Sequence, residues 1–358
     1  MSRATLCWRM LFWMTAGFLL PQHSFASTGT AGASFLDIPV GAGPAAMGSA
    51  YTALAADAYA PIWNPAGLGW LDGVQVAAQH VSYLESMNYE FASVVTPVKK
   101  GALGFSVQYL GSGDIDGTLP DGSSIGTFSS HFAAYTASYG LKWGDSFSIG
   151  ASGKIINEKI SEVSATAYGG DVGALYKVTP HLSLATTVTN FGSRLTFTDQ
   201  GDTLPLAWHV AGAYALNPQW DATAEGVYAE GRESGRVGLQ WRPVEAVALR
   251  TGYRSDTTKE LSALAGFSTG VGIHLWGQEF AYAWLPYGDL GDTQYFSLLL
   301  HFGATANERR NLIQFQTIKS PHVAGATLTG EGDYEQLLQL LTDHAEQKTA
   351  YAVGERRP

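Results

Sequence analysis

The chain is short of the features that mark most other classes of protein. Of its 358 residues one is cysteine, Cys7, and it falls in the segment that the sequence marks for removal on export. A mature chain without thiols has no disulfide framework, no cysteine metal site and no thiol nucleophile. Charged residues are sparse, 15% of the chain, and lean to acid, with a formal net charge of −10. That balance lacks the basic footprint of a nucleic-acid binder. Beyond residue 20 no apolar run reaches the roughly 20 residues that a membrane helix needs. What is plentiful is glycine, 42 residues, and aromatic side chains, 12% of the chain.

Arg3 and Arg9 precede the short apolar stretch 10–20, and Ser24 and Ala26 suit the −3 and −1 positions of a cleavage site. Residues 1–26 therefore read as a secretory signal peptide, too short in its apolar part for an anchor. Loss of the two arginines takes the formal charge from −10 to about −12. Residues 27–73 are rich in Gly, Ala and Pro and read as a packed N-terminal plug segment.

From Val74 onward the sequence holds about fourteen strand-like segments, each near the length of a tilted membrane strand. The approximate spans are 74–83, 88–97, 101–110, 128–143, 146–157, 164–178, 181–191, 206–217, 219–230, 234–243, 245–256, 261–274, 276–285 and 293–302. Within them the side chains alternate. Trp276, Gln278, Phe280, Tyr282 and Trp284 share one face and Glu279, Ala281 and Ala283 the other. Val237, Leu239 and Trp241 oppose Arg236, Gly238 and Gln240, and Leu249 and Tyr253 oppose Arg250 and Arg254. A period of two with one apolar face describes a barrel wall between hydrocarbon and a polar interior. Closure pairs every backbone group, so such a wall crosses a bilayer without helices.

The connections point the same way. Short ones (97–100, 144–145, 179–180, 217–219, 243–244) alternate with long ones (111–127, 192–205, 286–292). Bacterial barrels carry short periplasmic turns and longer external loops. Six tryptophans, Trp143, Trp208, Trp220, Trp241, Trp276 and Trp284, fall near strand ends, the expected place of interface aromatics. Residues 304–358 read as a linker and a short amphipathic helix, with Tyr334, Leu337, Leu338, Leu341 and Ala345 at helical spacing. An even strand count places that tail in the periplasm. The expected class is all-β: a fourteen-stranded antiparallel transmembrane barrel over 74–303, with a plug before it and a helical tail after it, in the outer membrane of a Gram-negative-type bacterium.

The segment running through Met47-Gly48, Asp57 and Asn64-Pro65-Ala66-Gly67-Leu68 is similar to the start of PorV/PorQ proteins and, more distantly, of FadL-type barrels. Later blocks resemble them too: 188–192 (VTNFG), 249–254 (LRTGYR) and 287–293 (YGDLGDT). The arginine that often precedes the Met-Gly pair is absent, with Gly43-Pro44 in its region. The resemblance implies a fourteen-stranded outer-membrane barrel with its N-terminal segment in or at the lumen. It implies one of two roles. Relatives of the PorV kind serve type IX secretion, receiving exported cargo or seating a surface attachment enzyme. FadL-type relatives pass hydrophobic molecules.

No catalytic constellation is present, so a non-enzymatic protein without cofactor is expected. Gly41, Gly43 and Gly48 have the wrong spacing for a dinucleotide loop. Residues 150–154 resemble a phosphate loop but have Ser148 where glycine is required. No His-Glu-x-x-His appears, and His131, His209 and His301 read as strand residues, not metal ligands. The inward charges are Glu225, Arg236, Arg250, Arg254 and Glu279. They form either a constriction that selects a solute or a set of ion pairs that fills the lumen; mixed signs favour filling. Asn64 in a proline-containing turn can pin the chain through local hydrogen bonds, so the plug motif reads as a lock, or as a gate if the segment moves. Outer-membrane lipid is the expected partner, with exported proteins docking on loops 111–127 and 192–205 as the leading role and a hydrophobic-solute channel as the alternative.

Overall fold

The computed structural model describes residues 31–302 except 85–86, 122, 200, 257–263 and 289–290. The signal peptide and the tail, 304–358, lie outside the described residues. No helix among those residues is long and apolar enough to cross a membrane. Eighteen strands follow one another: β1 Val74–Ser82, β2 Asn88–Pro97, β3 Ala102–Gly111, β4 Ile115–Thr118, β5 Ser124–Phe128, β6 Ser130–Trp143, β7 Phe147–Ile160, β8 Val163–Lys177, β9 Leu182–Gly192, β10 Leu195–Thr196, β11 Gly201–Asp202, β12 Ala207–Asn217, β13 Trp220–Ala229, β14 Arg232–Val244, β15 Val247–Arg254, β16 Phe267–Leu275, β17 Gln278–Pro286 and β18 Asp292–Phe302.

Fourteen of these close into an antiparallel barrel, β1-β18-β17-β16-β15-β14-β13-β12-β9-β8-β7-β6-β3-β2. Each neighbours its predecessor in sequence, and β1 and β18 pair from Val74↔Phe302 to Ser82↔Gln294 to shut the ring. The alternation that marks the strands is visible in the wall. In β2, Tyr89, Phe91, Ser93 and Val95 are buried while Asn88, Glu90, Ala92 and Val94 are exposed. The outward set is largely apolar, including Phe105, Val210, Val237, Phe280 and Leu298.

The six even-numbered connections are all short, at 98–101, 144–146, 178–181, 218–219, 245–246 and 276–277. Their chemistry is local. Trp276 (φ 53°) and Gly277 (φ 77°) form a tight two-residue hairpin turn of the left-handed kind. Asn217 accepts the Gln219 and Trp220 N–H groups at 2.9 and 3.1 Å and turns the chain at Pro218.

The opposite end departs from the expected alternation. Ser161-Glu162 and Glu230-Gly231 are two-residue turns as well, because β7 runs three residues beyond its expected end and β8 starts one residue early, and Glu230-Gly231 takes φ of 50° and 75°. Two of the long loops are not irregular: one contains the β4–β5 hairpin and the other the β10–β11 hairpin. The span expected at 261–274 begins as a strand only at Phe267, with 264–266 in a turn and 261–263 outside the described residues.

Residues 31–73 fill the space inside the ring. The segment is built from the 3-10 turn Ser34–Asp37, the short helices Ala42–Ala46 and Ala60–Trp63, and the 3-10 helix Pro65–Trp70. Its alanines at 42, 45, 46, 55, 58, 60 and 66 are fully buried. Methyl side chains let its backbone come close to the wall on several sides. Gly48, at φ 63°, and Gly67 mark the tightest places: a Cβ on Gly48 would sit 2.6 Å from the Tyr253 nitrogen, and one on Gly67 1.5 Å from the Ala55 carbonyl oxygen.

Candidate functional site

A polypeptide packed inside a barrel must find partners for its own N–H and C=O groups. Inward side chains of the wall provide them. Ser297 accepts the Ala42 N–H at 3.1 Å, and Gln75 accepts that of Ala58 at 3.1 Å. Gln79 accepts the Gly41 N–H and donates to the Pro39 carbonyl at 3.2 Å. Ser268 accepts from Gly48 at 3.0 Å and donates to Ala46 at 2.9 Å, and Thr223 donates to Ala50 at 2.9 Å. Trp70 donates to Ser148 at 2.8 Å. These partners come from β1, β7, β13, β16 and β18, so the segment is held from several sides of the ring.

The plug motif sits at the centre of this fastening. Asn64 is fully buried. Its Oδ1 caps the following 3-10 helix by accepting the Ala66 N–H at 3.0 Å. Its Nδ2 donates to the Thr52 carbonyl at 3.1 Å and to Ala174 of β8 at 3.4 Å. Pro65 opens that helix, and Ala66, Gly67 and Leu68 are buried within it. Met47 is buried beside Gly238 and Gly252 of the wall. Asp57 accepts the Tyr59 N–H at 2.9 Å and the Tyr51 hydroxyl at 2.5 Å. Burial pushes the Asp57 carboxyl up to about 6.

The five inward charges are brought together with partners from other strands. Glu225 accepts the Thr52 N–H at 3.1 Å and lies 2.8 Å from His209 Nδ1 and 3.7 Å from Arg236. Arg236 and Arg254 share Asp256, at 3.2 and 2.6 Å. Arg250 pairs with Glu279 at 2.5 Å and donates to Gln240 at 2.6 Å, and His274 completes the group at 2.9 Å from Glu279. A second buried pair joins Lys154 and Asp171 at 3.0 Å. It sits where the β8–β9 ladder slips between Gly170 and Val172. Asn190, at φ 59°, fills that bulge, accepting from Lys154 at 2.7 Å and donating its N–H to Asp171 at 2.8 Å. Sequence reasoning missed Asp171, Asp256, His209 and His274 as members of these networks. An inward position in an alternating strand marks Asp171, His209 and His274; Asp256 lies in the turn after β15 and carries no such signal.

Between the top of the plug and the wall lies a cavity of about 330 Å³. Its lining mixes apolar side chains, among them Leu36, Ile38, Val40, Ile62, Trp63 and Val227, with the charged or polar groups of Asp37, Lys154, His209, Arg236, Arg254 and Asp256. Arg236 Nε has no hydrogen-bond partner among the described residues. Arg232, Glu233 and Ser255 line its end at the long loops. A volume of this size with a few fixed polar groups is within the range that holds a small ligand.

The six tryptophans stand at the wall's two edges. Trp143, Trp241 and Trp276 are exposed at the short-turn end, and Trp220 stacks on Trp241 at 5.4 Å between centroids. Trp208 and Trp284 stand near the loop end, donating to Thr186 at 2.8 Å and Asp292 at 3.0 Å. Among the described residues no group of three or more His, Cys, Asp or Glu side chains could hold a metal.

No family model and no curated protein matches this sequence. Solved structures do. The toluene transporter TodX of Pseudomonas putida is similar at 13% identity with a TM-score of 0.53, over 73% of this chain and 96% of that one. The monoaromatic hydrocarbon channel CymD is similar at 14% with a TM-score of 0.52, over 74% and 98%. A Pseudomonas aeruginosa FadL homologue is similar at 13% with a TM-score of 0.46, over 77% and 99%. What the chain shares with the first two is the barrel fold.

Proposed function

We propose that the protein is an outer-membrane barrel that takes a small hydrophobic or amphiphilic molecule into its lumen from the side of the long loops. The observation that carries this reading is the cavity between plug and wall, lined by apolar side chains together with a few charged ones. Its fold likeness to two hydrocarbon channels supports it. The largely apolar outer wall supports placement in a bilayer, with the short turns on the periplasmic side.

The plug constrains how such a molecule moves. Even at about 1 kcal/mol net apiece, losing its wall hydrogen bonds together would cost roughly 10 kcal/mol. By that measure the whole segment would leave the lumen in only about one molecule in ten million. Passage therefore works around a plug that stays in place.

The test is mass spectrometry of small molecules extracted from protein purified from outer membranes, with Val227→Trp as the comparison. Val227 is an inward cavity residue, and the larger ring fills the space. A hydrophobic molecule found with wild type and missing from the variant supports the reading; equal recovery, or none from either, overturns it.

A second reading, docking of exported proteins as in type IX secretion, has one observation in its favour. The β4–β5 hairpin of the 112–129 loop exposes Ile115 (38%), Leu119 (46%) and Phe128 (37%). Capture of an exported protein by wild type, lost when these three are changed to serine, would favour docking over uptake.

A further inference from the structure

The outer wall carries a second concave site with a composition unlike its surroundings. Across β18, β1, β2 and β3 the outward residues stand in register, so they form rows. The first of these rows, on the side of the short turns, is Leu300, Val76, Val94 and Phe105. The next is Leu298, Ala78, Ala92 and Val107, with Phe280 of β17 beside Leu298. The third is Phe296, His80, Glu90 and Tyr109. The fourth, at the loop end, is Gln294, Ser82, Asn88 and Gly111. The wall thus passes from apolar to polar between the second and fourth rows.

Two features coincide at that boundary. The second row is large at its edges and small at its centre, so Ala78 and Ala92 floor a notch walled by Phe280, Phe296, Leu298 and Val107, with a volume of about 440 Å³. Above the floor, His80 Nδ1 lies 2.6 Å from Glu90 Oε1, and both side chains are about half exposed on the outer wall, at 47% and 49%. Aromatic pairs flank them, Tyr282–Phe296 at 5.1 Å and Tyr109–His131 at 6.0 Å. Among the described residues Glu90 Oε2 and His80 Nε2 have no hydrogen-bond partner. An ionisable pair beside apolar wall is unfavourable unless something satisfies it.

We infer that this notch binds an amide-linked, hydroxylated acyl chain of an outer-leaflet glycolipid, the chain lying on Ala78 and Ala92 and the amide and hydroxyl meeting the Glu90–His80 pair. The carboxylate selects the headgroup chemistry. Glu90 is an acceptor and needs a donor at the depth where the wall turns polar. At that depth an amide N–H and a hydroxyl provide one, whereas a phospholipid presents ester linkages that only accept; phosphatidylethanolamine carries its ammonium donor further out, beyond the phosphate. A phosphate at this depth would meet a like charge. The inference rests on the membrane-spanning reading of the wall and is independent of the luminal cavity.

The experiment uses the full-length protein in detergent, titrated with lipid A or with phosphatidylethanolamine, counting bound lipids by native mass spectrometry. Flotation with liposomes is measured first. Protein that does not float fails the membrane reading itself; protein that floats and holds no lipid A fails this proposal alone. Wild type is expected to hold one lipid A. Ala92→Trp fills the notch from the outer side and should weaken it at least tenfold. Glu90→Ala should weaken lipid A about tenfold, the scale of one hydrogen bond to a charged group, and leave phosphatidylethanolamine unchanged. Both variants point outward, so the strand spectrum should match wild type. Equal lipid A binding by wild type and Ala92→Trp overturns the site. Equal binding of both lipids, insensitive to Glu90→Ala, reduces it to general acyl contact. A dimer lost in Ala92→Trp makes the occupant a second copy of the chain.

Discussion

The Glu225 carboxylate of β13 accepts the Thr52 N–H at 3.1 Å while its other oxygen faces His209 Nδ1 at 2.8 Å. One buried side chain thus joins the plug to the charge network of the wall. Glu225→Gln keeps an acceptor for Thr52 and removes the charge opposite His209 and Arg236. Glu225→Leu removes both. Breaking a buried pair by deleting one partner costs about 3–5 kcal/mol. Denaturant unfolding in micelles should rank wild type above Glu225→Gln and Glu225→Leu lowest. Equal stability of the two variants would mean that the Thr52 contact carries no weight.

Asn64 separates a local role from a cross-lumen one. Asn64→Asp retains the Ala66 cap and loses the two bonds donated to Thr52 and Ala174; Asn64→Ala loses all three. Each unsatisfied buried group costs about 1–3 kcal/mol. Both variants should make 31–70 more open to protease while leaving the strand spectrum intact. Unchanged protease resistance in Asn64→Ala would show that the motif does not hold the plug.

The Lys154–Asp171 pair, with both side chains buried, supports the β8–β9 bulge. Lys154→Met and Asp171→Leu should each destabilise the barrel by about 3–5 kcal/mol, and together by clearly less than the sum. A double-mutant cycle measures that difference. Additive losses would place the two residues in separate roles.

Asp57 gives a pH dependence with a defined sign. Burial raises its carboxyl from 3.8 to about 6, with the Tyr51 and Tyr59 hydrogen bonds opposing that shift. Arg250 and Glu279 are the charged groups that act on it, in opposite directions. The folded state then holds a proton that the unfolded chain releases between about pH 3.8 and 6. This contribution stabilises the fold as pH falls through 6, and it is lost above 6. Asp57→Asn removes it. The stability gap between wild type and variant should therefore change between pH 7 and pH 4.5, wild type gaining on the acid side. A gap that is constant with pH would contradict the assignment.

The wall was legible in the sequence because alternation is a local property: all fourteen barrel strands stand near their expected spans. What was hidden depends on partners distant in the chain. Lys154 shows as an inward lysine, yet Asp171 and Asn190 reach it only through a register slip that a period of two does not encode. The His209–Glu225 and Arg254–Asp256 contacts need the strand register or a loop's path. The β4–β5 and β10–β11 hairpins were missed because their Gly, Ser, Asp and Thr residues read as irregular loop. Ser161-Glu162 and Glu230-Gly231 were missed as tight turns because the first has no glycine and the second has glycine only in its second position.

A membrane barrel whose lumen the N-terminal segment keeps closed should enter a bilayer without making it leak. The most direct test reconstitutes the purified protein in liposomes loaded with a small ionic dye, then follows flotation and leakage together. Flotation with the liposomes and retention of the dye is the result the account predicts, with leakage rising in Asn64→Ala and Glu225→Leu. Wild-type protein that stays out of the liposome fraction, or that floats and empties them, would contradict it.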